Sequence, residues 1–388
     1  MHRITLIFIL FLVIPDIYIY LVHIVRKTKN IFLRSLYWLP TLLLASGYVY
    51  YMLLTGDNAL ADHTTSIGRL AIAIMLLVLP KTVFMLCSST GVVTHLVLRR
   101  CPRSPFTAIG LIFAVISFFN ILYGTMIGIT RFETKEVEFH SAVLPKGFDG
   151  YRIVQISDIH LGSWQSNPEA IRELVDSVNA QKADLIVFTG DLVNQQSHEI
   201  DGFQKILSQL HAPDGIYSIL GNHDYGDYYH WPSPEAKAQD LTYLKEQQKA
   251  MGWRLLNNEH DILHHEGDSI ALIGVENDGE PPFSQHANLS QAIQGTTGMF
   301  QILLSHNPTH WRREVLPQSS IQLMLAGHTH AMQGILFGHS LAELIYPEWR
   351  GMYYEGKRAL YVNIGIGYVG LPFRFGAWPE ITVLTLRQ

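Results

Sequence analysis

The chain has 388 residues, room for two domains, and a formal net charge of -5. That balance lacks the basic footprint of a nucleic-acid binder and argues against that class. Its two cysteines, Cys87 and Cys101, both lie in the first third, so everything after residue 130 needs no disulfide and tolerates any redox compartment.

Residues 1–130 read as an all-α transmembrane block of about four helices. Apolar runs at about 4–25, 36–54, 67–98 and 106–129 have the length of a bilayer span, which needs roughly 20 residues. The first is too long for a signal peptide, and no small-residue cleavage site follows it. The loop after it carries Arg26, Lys27, Lys29 and Arg34, and the loop before the last run carries Arg99, Arg100 and Arg103. The middle loop, 55–66, has Asp57 and Asp62 but no Lys or Arg. Positive charge marks the cytoplasmic side, so both termini and the large C-terminal domain are expected outside. The third run has Pro80-Lys81 near its middle and reads either as one kinked helix or as a re-entrant pair. Asp16 follows Pro15 at a similar depth in the first run. A lone charge inside the bilayer is costly, which suggests an ion pair between Asp16 and Lys81.

Residues 131–150 form a linker and a lead-in strand: Phe132–His140 alternates apolar and polar, and Leu144–Gly150 is turn-rich. Helical patterns follow at Pro168–Ala180, Ile200–Leu210 and Glu235–Met251. Strand patterns follow at Ser269–Val275, Phe300–Ser305, Ile321–Ala326, Ala359–Ile364 and Ile381–Leu386. Such an order implies a layered α/β fold or a two-sheet sandwich flanked by helices over 151–388. His264 and His265 belong to no motif and read as surface residues.

Five apolar strand-like runs end in Asp, Asn or His. Ile153–Ile156 leads to Asp158 and His160, Leu185–Phe188 to Asp191, and Ile216–Leu220 to Asn222, His223 and Asp224. Ile302–Leu304 leads to His306, and Leu323–Ala326 to His328 and His330. Carboxyl ends of strands are where open α/β folds place their sites. Gly190, Gly221 and Gly327 relieve the steric limits on these turns. Without Cys a structural zinc pattern is excluded here. Imidazole with carboxylate suits zinc, iron or manganese. Seven ligands with one shared carboxylate suffice for two divalent ions about 3.5–4 Å apart.

The series Asp158-x-His160, Gly190-Asp191, Gly221-Asn222-His223-Asp224, His306 and Gly327-His328-x-His330 resembles the calcineurin-like metallophosphoesterase family. Phe148–Asp158 and Pro379–Thr382 resemble its bacterial membrane-anchored, YkuE-like branch. The resemblance covers about residues 132–388 and implies a four-layer αββα sandwich. It implies one metal held by Asp158, His160, Asp191 and His330, and a second by Asp191, Asn222, His306 and His328, with Asp191 bridging. A water between two such ions loses its proton near neutrality and attacks phosphorus in line. His223 is then no ligand but the group that protonates the leaving oxygen or stabilises the transition state.

Three departures stand out. Asn194 occupies a position where relatives have an Asp that orients the catalytic histidine, which leaves the partner of His223 open. Ala331-Met332-Gln333 stands where Gly-Gly-Gln is usual. Gly338–Glu355, with Trp349, Tyr353 and Tyr354, is long and aromatic; it reads as a packed hairpin, or as a cleft wall or membrane-facing rim. Arg374 reads either as a bidentate phosphate clamp or as a surface ion pair. The expected activity is hydrolysis of a phosphomonoester, phosphodiester or pyrophosphate. A membrane tether raises the effective concentration of lipid-linked or cell-envelope substrates. The alternative is a non-catalytic, metal-stabilised membrane scaffold or sensor.

Overall fold

The computed structural model describes residues 2–54, 56–98 and 104–388; Arg99, Arg100, Cys101 and Arg103 lie outside the described residues. The chain divides into two compact units, Met1–Ile127 with Gly370–Phe373, and Gly128–Val369 with Arg374–Gln388.

The first unit is helical. α1 (His2–Ile19) contains Pro15 and continues through a π-helical turn to Lys27. It is followed by α2 (Leu39–Leu54), α3 (Thr64–Leu98) and α4 (Ser104–Met126). α3 runs 35 residues with Pro80 inside it, so the third apolar run is one helix and not a re-entrant pair. At 1.5 Å per residue it is about 50 Å long, more than the roughly 30 Å of a hydrocarbon core. Thr64–Val97 and Pro105–Thr130 are long and apolar enough to cross a membrane. α1 and α2 are shorter, at 18 and 16 residues.

The expected pair between α1 and α3 is present, with Lys81 Nζ 2.6 Å from Asp16 Oδ1. Tyr37 OH donates to the same oxygen at 2.6 Å and Thr41 Oγ1 donates to Oδ2. Asp16 is fully buried, and these three donors satisfy a carboxylate that apolar surroundings alone would not tolerate.

In the second unit the described residues form twelve strands in two six-stranded sheets. They are β1 (Glu133–His140), β2 (Arg152–Ile156), β3 (Leu185–Phe188), β4 (Ile216–Ser218), β5 (Arg254–Leu255), β6 (Glu259–His265), β7 (Asp268–Gly274), β8 (Gln301–Leu304), β9 (Leu323–Ala326), β10 (Gly351–Glu355), β11 (Arg358–Val362) and β12 (Glu380–Arg387). The first sheet has the order β1-β12-β2-β3-β4-β5 and the second β10-β11-β9-β8-β7-β6.

Strand periodicity sorts side chains between layers. Ile153, Leu185, Val187, Leu272, Ile302, Leu304 and Leu325 fill the space between the sheets. Val154, Ile156, Ile186 and Phe188 face the other way, onto Ile171, Leu174 and Val178 of α5 (Pro168–Asn179) and Leu244 of α6 (Pro234–Ala250). Ile273, Leu303 and Met324 face outward from the second sheet onto Trp311 and Val315. The result is the four-layer αββα sandwich. β2, β3 and β4 run parallel, as do β7, β8 and β9, so within each sheet their carboxyl ends share one edge.

The helix expected over 200–210 is reduced to one turn, Gln204–Leu207, after a 3₁₀ turn at Ser197–Ile200. Gly202, at φ +89° between them, breaks the helical path. His264 and His265 lie in β6, an edge strand whose apolar signal is thin. The last five residues of the 338–355 segment, Gly351–Glu355, are β10, hairpin-paired with β11.

Candidate metal centre

The strand-end residues converge. Asp158, His160 and His330 form one group and Asp191, His306 and His328 another, with the donor atoms of each group all within 4.8 Å of one another. His330 Nε2 lies 3.2 Å from Asp158 Oδ1 and 3.1 Å from His160 Nε2. His328 Nδ1 lies 3.2 Å from His306 Nε2. Asp191 links the two groups: its Oδ2 is 3.6 Å from His160 Nε2 and 3.2 Å from His306 Nε2. Its Oδ1 instead accepts the His223 N–H at 2.8 Å. One carboxylate oxygen is thus left between the groups.

The backbone reaches this geometry through conformations most side chains avoid. Asp158, His160, Asp191, His328 and His330 all have φ between 48° and 76°, and residues held there cost roughly 1–3 kcal/mol each unless the surroundings compel them. Much of the compulsion comes from Asp224, which accepts the N–H groups of Gly221, Asp191, Leu192 and Val193. Asp224 therefore points away from His223, its sequence neighbour. Gly327 must lack a side chain, because a Cβ there would overlap Ser157 Oγ and Asp158 Oδ2.

The nitrogens facing away from the site fix the rings. His160 Nδ1 donates to Val193 O at 3.2 Å and His306 Nδ1 to Thr189 O at 2.8 Å. Partners of this kind place the ring proton outward and leave a lone pair on Nε2 for an ion. His328 Nε2 meets Tyr346 OH at 3.0 Å. Asn222 donates from Nδ2 to Tyr228 OH at 2.9 Å, while its buried Oδ1 has no hydrogen-bond partner. A buried acceptor left bare is costly, and a cation would satisfy it.

Charge is separated among these side chains. Burial alone would raise the Asp158 carboxyl, but His330 and His306 hold it well below the usual range. Burial likewise opposes the charge on Asp191, yet His306 and His223 keep it ionised. His306 is pushed up to about 9, Asp191 overcoming the effect of burial, whereas burial and His306 bring His328 down to about 3. Two anionic carboxylates beside His160 and His328, both held neutral mainly by burial, make a donor set that fits divalent ions.

His223 lies beside the ligand groups rather than within one, its ring 4.8 Å from that of His160 and 4.4 Å from that of Tyr228. Its partner is the backbone carbonyl of Asn194, which accepts from Nδ1 at 2.5 Å. The loop bearing that carbonyl is tied by Glu199, which accepts the N–H groups of Asn194, Gln195 and Gly162.

Arg374 is neither a phosphate clamp nor a surface ion pair. It is fully buried, and its donors are committed to Gly367 O at 2.7 Å, Ala377 O at 2.9 Å, Ile364 O at 3.0 Å and His330 Nδ1 at 2.9 Å. A guanidinium so engaged positions His330 and cannot reach a substrate. No sequence signal pointed to this contact, nor to Tyr346 and Tyr228; Asp224 was visible only as part of its motif. A third group, Asp278, His310 and Glu314, has donor atoms equally close. Arg313 pairs with Asp278, and His310 bonds Ser305 and lies against both carboxylates, so this group closes on itself as an ion network.

Comparison with known proteins agrees with this geometry. The family model for calcineurin-like phosphoesterases matches residues 151–332, and that for the transmembrane domain of probable calcineurin-like phosphoesterases matches residues 2–129. The metallophosphoesterase YkuE of Bacillus subtilis is 34% identical over 268 residues, 66% of this chain and 86% of that protein. A transmembrane protein with metallophosphoesterase domain from Danio rerio is 32% identical over 263 residues, 65% of this chain and 57% of that protein. A Helicobacter pylori metallophosphoesterase is 30% identical over 297 residues, 74% of this chain and 72% of its own length. A His/Asp cluster at the strand ends of an αββα sandwich, joined to a transmembrane-type helical block, accordingly makes this chain a membrane-associated member of the calcineurin-like phosphoesterase family.

Proposed function

We propose that the chain is a dinuclear phosphoesterase acting on a lipid-linked or cell-envelope phosphomonoester, phosphodiester or pyrophosphate. Asp158, His160, Asp191 and His330 hold one divalent ion, and Asp191, Asn222, His306 and His328 hold the other, with manganese, zinc or iron the metals their donors suit. The observation that carries this reading is the single oxygen, Asp191 Oδ2, between His160 Nε2 and His306 Nε2. When bound, such ions supply Lewis acidity at the phosphoryl oxygens and a more acidic water.

The protein's own groups do the rest. Asp224 and the glycine turns hold the ligands against their backbone strain. Asn194 O engages His223 Nδ1, leaving Nε2 to carry the proton that the leaving oxygen takes. Tyr228, bonded to Asn222 and packed on His223, keeps both in register. Residues 1–130 would cross a bacterial cell membrane four times, with the basic 26–34 loop inside and residues 131–388 extracytoplasmic. A reporter fused after Arg131 that works only in the cytoplasm contradicts that orientation.

Hydrolysis of bis-p-nitrophenyl phosphate by the full chain in detergent tests the activity. Turnover should stop with chelator and return with added Mn²⁺. A folded, metal-loaded protein with no turnover would favour the scaffold alternative.

A further inference from the structure

The loop between His330 and Tyr346 is anchored to the metal centre at both ends, since His330 belongs to it and Tyr346 OH bonds His328. It is also preformed. Ser340 Oγ donates to Ala331 O at 2.6 Å, Leu336 and His339 exchange backbone bonds of 2.9 and 3.1 Å, and Ile335 N donates to Phe375 O at 2.8 Å. Ala331, Ile335 and Ala342 turn inward onto Trp349, Ile364 and Ala377. Five large apolar side chains turn the other way: Phe337 is 93% exposed, Leu344 83%, Leu341 68%, Leu336 58% and Ile345 57%. Such a patch, held out by an ordered loop, marks an interaction surface.

The base of the loop indicates what covers it. Ile335 is bonded to Phe375, which precedes Ala377 and Trp378. Arg131, just past the end of α4 at Met126, lies over the Trp378 ring at 4.8 Å. Gly128 packs so closely on Arg374 O and Trp378 that a Cβ would overlap both. Residues 128–131, which follow the last apolar helix in the chain, are therefore packed with the base of the loop. Arg350, which donates to Gly338 O at 3.3 Å, lies over Trp349 at 4.6 Å. Arginine with tryptophan is the chemistry of the membrane–water boundary.

We propose that Met332–Ile345 is a lipid-docking rim. Its five most exposed apolar residues enter the acyl-chain boundary of the membrane that holds the N-terminal block, so that the centre takes an amphiphilic phosphoester from the bilayer surface. The substrate clause rests on the phosphoesterase reading; the docking clause stands without it.

The test uses the full chain with Cys87→Ser and Cys101→Ser, a nitroxide on Phe337→Cys or on Leu344→Cys, and nanodiscs of phosphatidylethanolamine and phosphatidylglycerol. Collision of the label with oxygen and with a water-soluble nickel chelate is read by electron paramagnetic resonance, against a label on the exposed Arg172→Cys of α5. The rim labels should show an oxygen-to-nickel ratio severalfold above that control. Free access of the chelate places the rim in water and overturns the proposal. Shielding from both reagents means a protein covers it, a second copy or the chain's own helices, and overturns it too. A chelate-accessible label on an enzyme that still hydrolyses bis-p-nitrophenyl phosphate refutes the rim alone. A lipid-embedded label on a metal-loaded protein with no turnover supports the rim and refutes the phosphoesterase reading.

Discussion

Replacing Arg374 by Lys should unsettle both the fold around the centre and its metals. Three N–H bonds from a buried guanidinium to the carbonyls of Gly367, Ala377 and Ile364 are at stake, and a fourth to His330 Nδ1. Burial lowers the Arg374 pKa only to about 10, with Asp158 and Glu380 opposing the fall, so the group is charged at neutrality. A lysine ammonium is a point donor and cannot span carbonyls arranged around a planar fork. Hydrogen bonds to charged groups contribute roughly 1.5–3 kcal/mol each. If one of the three carbonyls keeps a partner, the variant loses about 3–6 kcal/mol. For a domain of this size each kcal/mol lowers Tm by about 2–4 °C, so a fall of at least about 6 °C is expected. Near-ultraviolet circular dichroism of the metal-free full chain in detergent follows that transition. Because His330 loses its outer partner, metal affinity should also drop by about 10–100-fold, the usual effect of removing such a contact. An Arg374→Lys protein with unchanged Tm and metal affinity but a raised KM would refute the reasoning and restore Arg374 as a substrate clamp.

Lys81→Met leaves the buried Asp16 carboxylate with only Tyr37 and Thr41, and breaking a buried pair costs about 3–5 kcal/mol. The fraction of monodisperse protein in detergent should fall and recover in the double variant Asp16→Asn, Lys81→Met; a single variant as stable as the parent contradicts this. His223→Ala should lower turnover by about 10²–10⁴-fold with metal content unchanged, since His223 lies outside both ligand groups. Equal loss of metal would make it a ligand. His306, raised to about 9, carries a proton at neutrality that a metal must expel. Metal affinity should therefore rise about tenfold per pH unit up to about pH 9 and level off above it. Calorimetry in buffers of different ionisation enthalpy should find about one proton released near neutral pH; no release contradicts the assignment.

The parts of the fold that were legible in the sequence share a cause. Leu185–Phe188, Ile302–Leu304 and Leu323–Ala326 are buried on both faces, so they appear as unbroken apolar runs, each leading to a polar residue; in β2 only Gln155 interrupts the run Ile153–Ile156. Asp16 and Lys81 were legible because a charge in an apolar run has few ways to be satisfied. Arg374 was not, because nothing in Leu371–Arg374 shows that the guanidinium turns inward to meet His330 Nδ1. The partner of His223 is a backbone carbonyl, which any residue at position 194 supplies, so the Asn194 side chain was uninformative. Ala331 and Met332 adopt φ of 48° and 44° without being glycine, since the turn is imposed by contacts from elsewhere in the chain. The rim was only half legible: its apolar residues are visible, but their outward direction depends on Ile335 and Ala342 taking the inward positions.

Elemental analysis of the full chain and of Asp191→Asn, purified without chelator, tests the shared oxygen most directly. The parent should hold two divalent ions per chain, and Asp191→Asn should lose both together with hydrolysis of bis-p-nitrophenyl phosphate. A parent that retains no transition metal, or an Asp191→Asn protein that keeps its metals and its turnover, would contradict a centre built around Asp191 Oδ2.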